Sequence, residues 1–136
     1  MSLISPEKLP LLLHTLTETP ASLSFLLTPE SQLPHATPEA VLILRSYGAL
    51  LGSTSLLSLW FTFSSQTDPE STRIFSLAMA LYHLFPIYRA WARMSLLPRT
   101  PQTPKPKKVL GGPRVHFWVH IICFLSLIAS SAATTK

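Results

Sequence analysis

The residues whose types could do chemistry are few, and they lie in apolar surroundings. His14 and Glu18 stand four apart in a leucine-rich stretch, which puts them on one face of a helix, and Tyr82 and His83 lie in a second such stretch. A carboxyl group positioned away from bulk water can donate a hydrogen bond or a proton to a hydroxyl or carbonyl oxygen, and an imidazole beside it can hold it in place. The expected chemistry acts on a hydrophobic molecule, with Glu18 as donor, His83 orienting it, and His14, Arg45 and Tyr82 as further pocket candidates. A Glu–Arg or Glu–His pair that only pins helices together uses the same residues.

Two prolines sharpen the picture. Pro20 cannot donate to the carbonyl of Leu16, nor Pro86 to that of Tyr82. Each frees a carbonyl within a turn of an ionisable side chain, which is tolerated at membrane depth where the backbone is buried in protein or lines a cavity. A small polar pocket between the first and third apolar segments follows.

Metal chemistry is not expected. His116 and His120 repeat the i,i+4 spacing, but residue counting puts His14 near the opposite membrane face from His116. The four histidines then fail to converge as a three- or four-ligand site requires. His116 reads as an interfacial residue. HExxH, GxSxG, a phosphate-binding glycine loop and a CxxC pair are missing, and the single Cys123 can form no disulfide within the chain. No metal and no cofactor are expected.

The elements that must hold these residues are membrane spans. Ser46–Phe63 is uncharged and mostly apolar, and a run of about 18 such residues can cross the hydrocarbon core as a helix. Charged residues make up 12% of the 136, about half the share usual in soluble proteins, and mean hydropathy is +0.33. Four apolar segments, 9–27, 40–63, 71–91 and 115–133, predict an all-α four-helix transmembrane bundle in one domain, 1–136. For 9–27, which carries His14, Glu18 and several Ser and Thr, an interfacial helix is the alternative. Its apolar residues make no single clean stripe, which favours spanning. Ser5-Pro6-Glu7, Thr28-Pro29-Glu30, Thr37-Pro38-Glu39 and Asp68-Pro69-Glu70 each have the form of a helix start: a capping residue, proline at N1 and an acid in the first turn. Counted from its helix start, Glu18 lies roughly 15 Å deep, and His83 comes to a similar depth. Arg45 enters from the other face.

Net charge is +5, yet all six acids precede Ser71 and seven of the eleven basic residues fall between Arg89 and Arg114. The Pro- and Lys-rich connector 97–112 is expected to be extended and, by the positive-inside rule, cytosolic, with both termini lumenal if there are four spans. It lacks interleaved aromatics and adjoins two spans, so nucleic acid is not an expected partner. Met1–Lys8 has no basic region of the kind that opens a secretory signal. Trp60, Trp91 and Trp118 suit interfacial belts. Spans of this length point to the endoplasmic reticulum membrane. Gly48 and Gly52 form a GxxxG motif, expected to pack tightly against another helix of the bundle, with homodimerisation as the alternative.

Glu18-Thr19-Pro20-Ala21, Phe25-Leu26-Leu27, Gln32-Leu33, Leu44 to Gly48 and Ala80 to Leu84 together resemble a group of small four-span membrane proteins of filamentous fungi. That resemblance covers most of 9–93 and implies a fold and a membrane home, with no activity. In outline the chain is also similar to the small ergosterol-biosynthesis scaffold protein. It is similar to sterol isomerases of the emopamil-binding type too, which place His and Glu within membrane spans as His14 and Glu18 are placed here. It lacks that family's fifth span and further acidic residue. The expected function is a non-enzymatic scaffold or accessory subunit for other membrane proteins. The alternative is a binding protein or isomerase/cyclase-like enzyme for a sterol- or terpenoid-like lipid. Expected partners are the bilayer, other membrane proteins or a second copy, and a hydrophobic small molecule.

Overall fold

The computed structural model describes residues 4–33, 35–95 and 111–133. Nearly all of the basic connector expected over 97–112 lies outside the described residues. A 3-10 turn over Pro6–Lys8 leads into α1 (Leu9–Leu27), α2 (Pro29–Gln32), α3 (Pro38–Phe63), α4 (Pro69–Ser95) and α5 (Pro113–Ala133). Among the described residues the chain is all helical, and its long helices cover the four expected segments. Five of these six elements begin on a proline, whose fixed φ suits the first helical position and whose missing N–H would have had no partner there. The Thr37 hydroxyl accepts from the Ala40 N–H at 3.3 Å, and Asp68 Oδ1 accepts from the Ser71 N–H at 2.9 Å. The Ser71 side chain and this N–H together hold the Asp68 carboxyl below its ordinary range. Gly111 and Gly112, at φ 85° and 82°, turn the chain into α5 in a conformation that side chains disfavour.

α1 packs along α3 and α4 along α5, and the two pairs meet mainly through α1 and α5. The first pair is close because Gly48 has no side chain. A Cβ there would lie 2.9 Å from Phe25 Cβ and 3.1 Å from the Ser22 carbonyl oxygen, whereas one at Gly52 would meet only the Ser22 hydroxyl, at 3.0 Å. Ser22 Oγ donates to the Gly48 carbonyl at 2.7 Å across the same contact. Both glycines of the GxxxG motif are thus turned to α1 within the chain.

One end of the bundle is closed by an apolar plug of Leu11, Phe61, Met79, Ala80 and Leu127, with Phe75 stacked on Phe61 at 4.6 Å. Lys8 Nζ donates to the Ser64 carbonyl at 2.7 Å and to Thr67 Oγ1 at 3.1 Å, placing a cation on the negative end of α3. The Ser130 hydroxyl donates to the Glu7 carbonyl, so the first turn, the α3–α4 loop and the end of α5 are tied together.

Around and above the plug the usual sorting of side chains is inverted. The buried face of α1 reads Leu11, His14, Thr15, Glu18, Ser22 and Phe25. It is a clean helical stripe after all, but a largely polar one, which a search for apolar periodicity passes over. Leu16 and Leu27 meanwhile stand 64% and 73% exposed. α3 turns Ser55, Ser58 and Thr62 inward and Leu42, Ile43 and Leu56 outward; α4 turns Thr72, Ser76 and His83 inward and Leu81 and Phe85 outward. α5 repeats the pattern with His120 and Ser130 against Ile122 and Leu125.

Two helices, α3 and α5, are long and apolar enough to cross a membrane, and only 17% and 28% of their most apolar windows are buried. The buried core helix of a soluble protein would show the opposite. α1 and α4 fall short of that standard, one through its polar stripe and the other through its charged ends. Gly48→Ala should lower stability in detergent by about 1–3 kcal/mol, since fixed backbone and Cβ atoms must move to admit the methyl group. Gly52→Ala should cost less, because a hydroxyl can rotate away. Denaturation in graded SDS measures both.

Candidate functional site

Within the polar stripe of α1, Thr15 and Ser22 bond to α3 carbonyls, while His14 and Glu18 face α4 and α5 where the two helix pairs meet. Glu18, 1% exposed, is the centre of what forms there. Its Oε2 accepts a hydrogen bond from Tyr82 Oη at 3.0 Å, and Tyr82 Oη lies 3.2 Å from Tyr47 Oη on α3. Its Oε1 lies 3.4 Å from His120 Nδ1 and 3.8 Å from His83 Nδ1, within ion-pair reach, yet it has no hydrogen-bond partner. His83 joins the two sides. Its Nδ1 is 2.8 Å from His120 Nδ1, and its Nε2 is 3.0 Å from His14 Nδ1. His14 Nε2 is likewise buried without a hydrogen-bond partner. Three imidazoles therefore stand in series, with a carboxylate oxygen facing the second and third.

A cavity of about 180 Å³ adjoins the cluster. Glu18, Tyr82 and His120 bound one end; Gln32, Arg89 and Val115, residues of the helix ends, bound the other. Phe25, Leu51 and Val119 supply apolar wall, and both helix-interrupting prolines, Pro20 and Pro86, line it as well. The Arg89 guanidinium lies 6.0 Å from the centre of the Phe25 ring, which steadies it at that end. The arrangement can hold a polar group against Glu18 and Tyr82 and shield it from water.

The structure brings together Glu18, Tyr82 and His83, and joins His14 to them through His83. Arg45 is a correction. It is exposed and lies outside the cavity lining, roughly a quarter-turn round α3 from the Gly48–Leu51–Ser55 side that meets α1. Arg89 is the cation that borders the cavity. Residue counting fixes how deep Arg45 lies but not which way its helix face turns.

Three site residues escaped the sequence reading: His120, Tyr47 and Arg89. His120 carried a signal, since it lies seven residues beyond Pro113, about 10 Å along the helix, with apolar neighbours on both sides. Arg89 follows Tyr82 and Pro86 at helical spacing. Residue counting separated His14 from His116 and so expected no convergence; three histidines meet nonetheless, since His14, Glu18 and His83 each offer a ligand atom within 4.8 Å of one another and His120 touches His83. The His83 ring, bonded to His14 on one side and His120 on the other, makes the link.

No family model matches the chain, and neither does any curated protein or solved structure.

Tyr82→Phe leaves a buried carboxylate oxygen without its donor and should destabilise the protein by about 1–2 kcal/mol. Tyr47→Phe keeps the bond to Glu18 and should cost under about 0.6 kcal/mol, near the average for a hydrogen bond between membrane helices. Unfolding of both variants in detergent checks the difference.

Proposed function

We propose that the chain is an integral membrane protein of four spans that binds a hydrophobic molecule carrying one polar group, of the sterol- or terpenoid-like class, with that group held against Glu18. The observation that carries the reading is the cavity itself, apolar along its walls and ending on a buried carboxyl that has one oxygen bonded to Tyr82 and the other without a hydrogen-bond partner. Pockets of this make-up, mostly apolar with a few convergent polar groups, are the usual form of a small-molecule site. Its volume matches roughly six water molecules, which admits the polar end of a lipid rather than a whole sterol.

Four spans are supported by the outward leucines of all four long helices and by their lengths. α1, with 19 residues, extends about 28 Å, close to the thickness of the hydrocarbon core. Arg89, Arg93 and Arg114 collect at the cavity end of the bundle, which by the positive-inside rule faces the cytosol. The endoplasmic reticulum, with its thinner bilayer, is the membrane that suits α1 best. A catalytic version adds that Glu18 passes its proton to the bound group. The scaffold reading is less favoured, because its small-residue motif is spent on the contact between α1 and α3.

Native mass spectrometry of the protein in mild detergent tests the proposal. The wild type and Arg45→Gln should each carry a small lipid, and Glu18→Gln should lose most of it while remaining folded. A wild type without lipid, or a Glu18→Gln variant with undiminished lipid, would sink the proposal. A protein co-purifying in fixed ratio from both would point back to a scaffold.

A further inference from the structure

We propose that Glu18 Oε1, His83 Nδ1 and His120 Nδ1 are three ligands of a divalent first-row transition metal ion, with a fourth position open to the cavity. The three atoms form a triangle with edges of 2.8, 3.4 and 3.8 Å. A triangle of those edges has a circumscribed radius of about 2.0 Å, the length of a bond from zinc to an imidazole nitrogen or a carboxylate oxygen. One cation can therefore touch all three without moving any helix.

Hydrogen bonding alone does not account for the same geometry. Two imidazole nitrogens and a carboxylate oxygen lie within 3.8 Å of one another, and each carries a lone pair when unprotonated. A single proton shared between His83 and His120 satisfies that pair and leaves Glu18 Oε1 buried without a hydrogen-bond partner, as it is found. A cation at the centre satisfies all three.

The surroundings have the form of a metal site's outer ligands. A ligating histidine ordinarily donates its other ring N–H to a fixed acceptor, and a ligating carboxylate is itself hydrogen-bonded. With His83 Nδ1 on the metal, Nε2–H points at His14 Nδ1, 3.0 Å away, and Glu18 Oε2 accepts from Tyr82. His14 is thus a positioning residue. Two histidines and one carboxylate suit zinc or iron better than magnesium or calcium, which prefer oxygen. Glu18 and His120 both line the cavity, so the remaining coordination position opens onto it, as in catalytic rather than structural sites. This deepens the cavity reading and rests on it only for what fills that position.

The test uses untagged protein in detergent, stripped with a chelator and titrated with Co²⁺, whose visible absorption reports coordination. One Co²⁺ per chain should bind and be displaced by Zn²⁺. His120→Ala and Glu18→Gln should each weaken binding roughly 100-fold or more, and His14→Phe about 10- to 100-fold, as outer ligands do. His35→Ala, an exposed histidine ahead of α3, should bind as the wild type does. If His120→Ala aggregates, His120→Asn replaces it, with folding checked by circular dichroism and gel filtration. Absence of stoichiometric binding, binding unaltered in the His120 and Glu18 variants, or equal loss in His35→Ala would each overturn the proposal. Lipid content of the metal-free sample is measured in parallel. Metal without lipid sinks the binding-protein reading alone, and lipid without metal sinks this one alone.

Discussion

Leu16, Leu56, Leu81 and Leu125, one on each long helix, are all more than half exposed, while Glu18, Ser58, His83 and Ser130 on the same helices are buried. In water that sorting would leave the hydrophobic effect unused and bury polar groups at a cost of a few kcal/mol each. In lipid the outward leucines cost nothing, and the polar groups have nowhere to turn but toward one another. The solvent's identity is the constraint on which the architecture depends. Helices that cannot be driven together by burying leucine must instead be held by close backbone contact and interhelical hydrogen bonds.

Both devices are present, and they divide the labour. Gly48 brings α3 against α1, and Ser22 bonds across the contact. The α1–α3 pair and the α4–α5 pair are then joined by Glu18, Tyr82, His83 and His120, with the Leu11–Phe61–Leu127 plug closing one end. Because the plug lies at the end where Lys8 and Ser130 tie the termini to the loops, the cavity opens toward the other, where Arg89 stands. Three members of the cluster that joins the halves, Glu18, Tyr82 and His120, also line the cavity.

Much of this was legible in the residues. Proline after a capping side chain marked where α3 and α4 start, and apolar run length marked the helices. Composition pointed to a membrane. Glu18 and His83 came to one depth by counting at 1.5 Å per residue, and Pro20 and Pro86 pointed to a cavity beside them. What counting could not supply was azimuth. Arg45 was placed at a plausible depth but off the inward side of α3, and His120 was set aside with His116 although both line the cavity. The pairing of α1 with α3, rather than with α4, depends on the steric fit of Gly48 to Phe25, which no periodicity encodes. The inward stripe of α1 was missed because it is polar, the reverse of what amphipathic analysis seeks.

The central claim is that α1 crosses the membrane and carries Glu18 into the interior. Impermeant maleimide labelling of single cysteines at Pro6, Glu30 and Gln66, all exposed positions, tests it in sealed vesicles of a Cys123→Ala background. Pro6→Cys and Gln66→Cys should react from one side and Glu30→Cys from the other. If Pro6→Cys and Glu30→Cys react from the same side, α1 lies on the surface, and the polar cluster is not an intramembrane site.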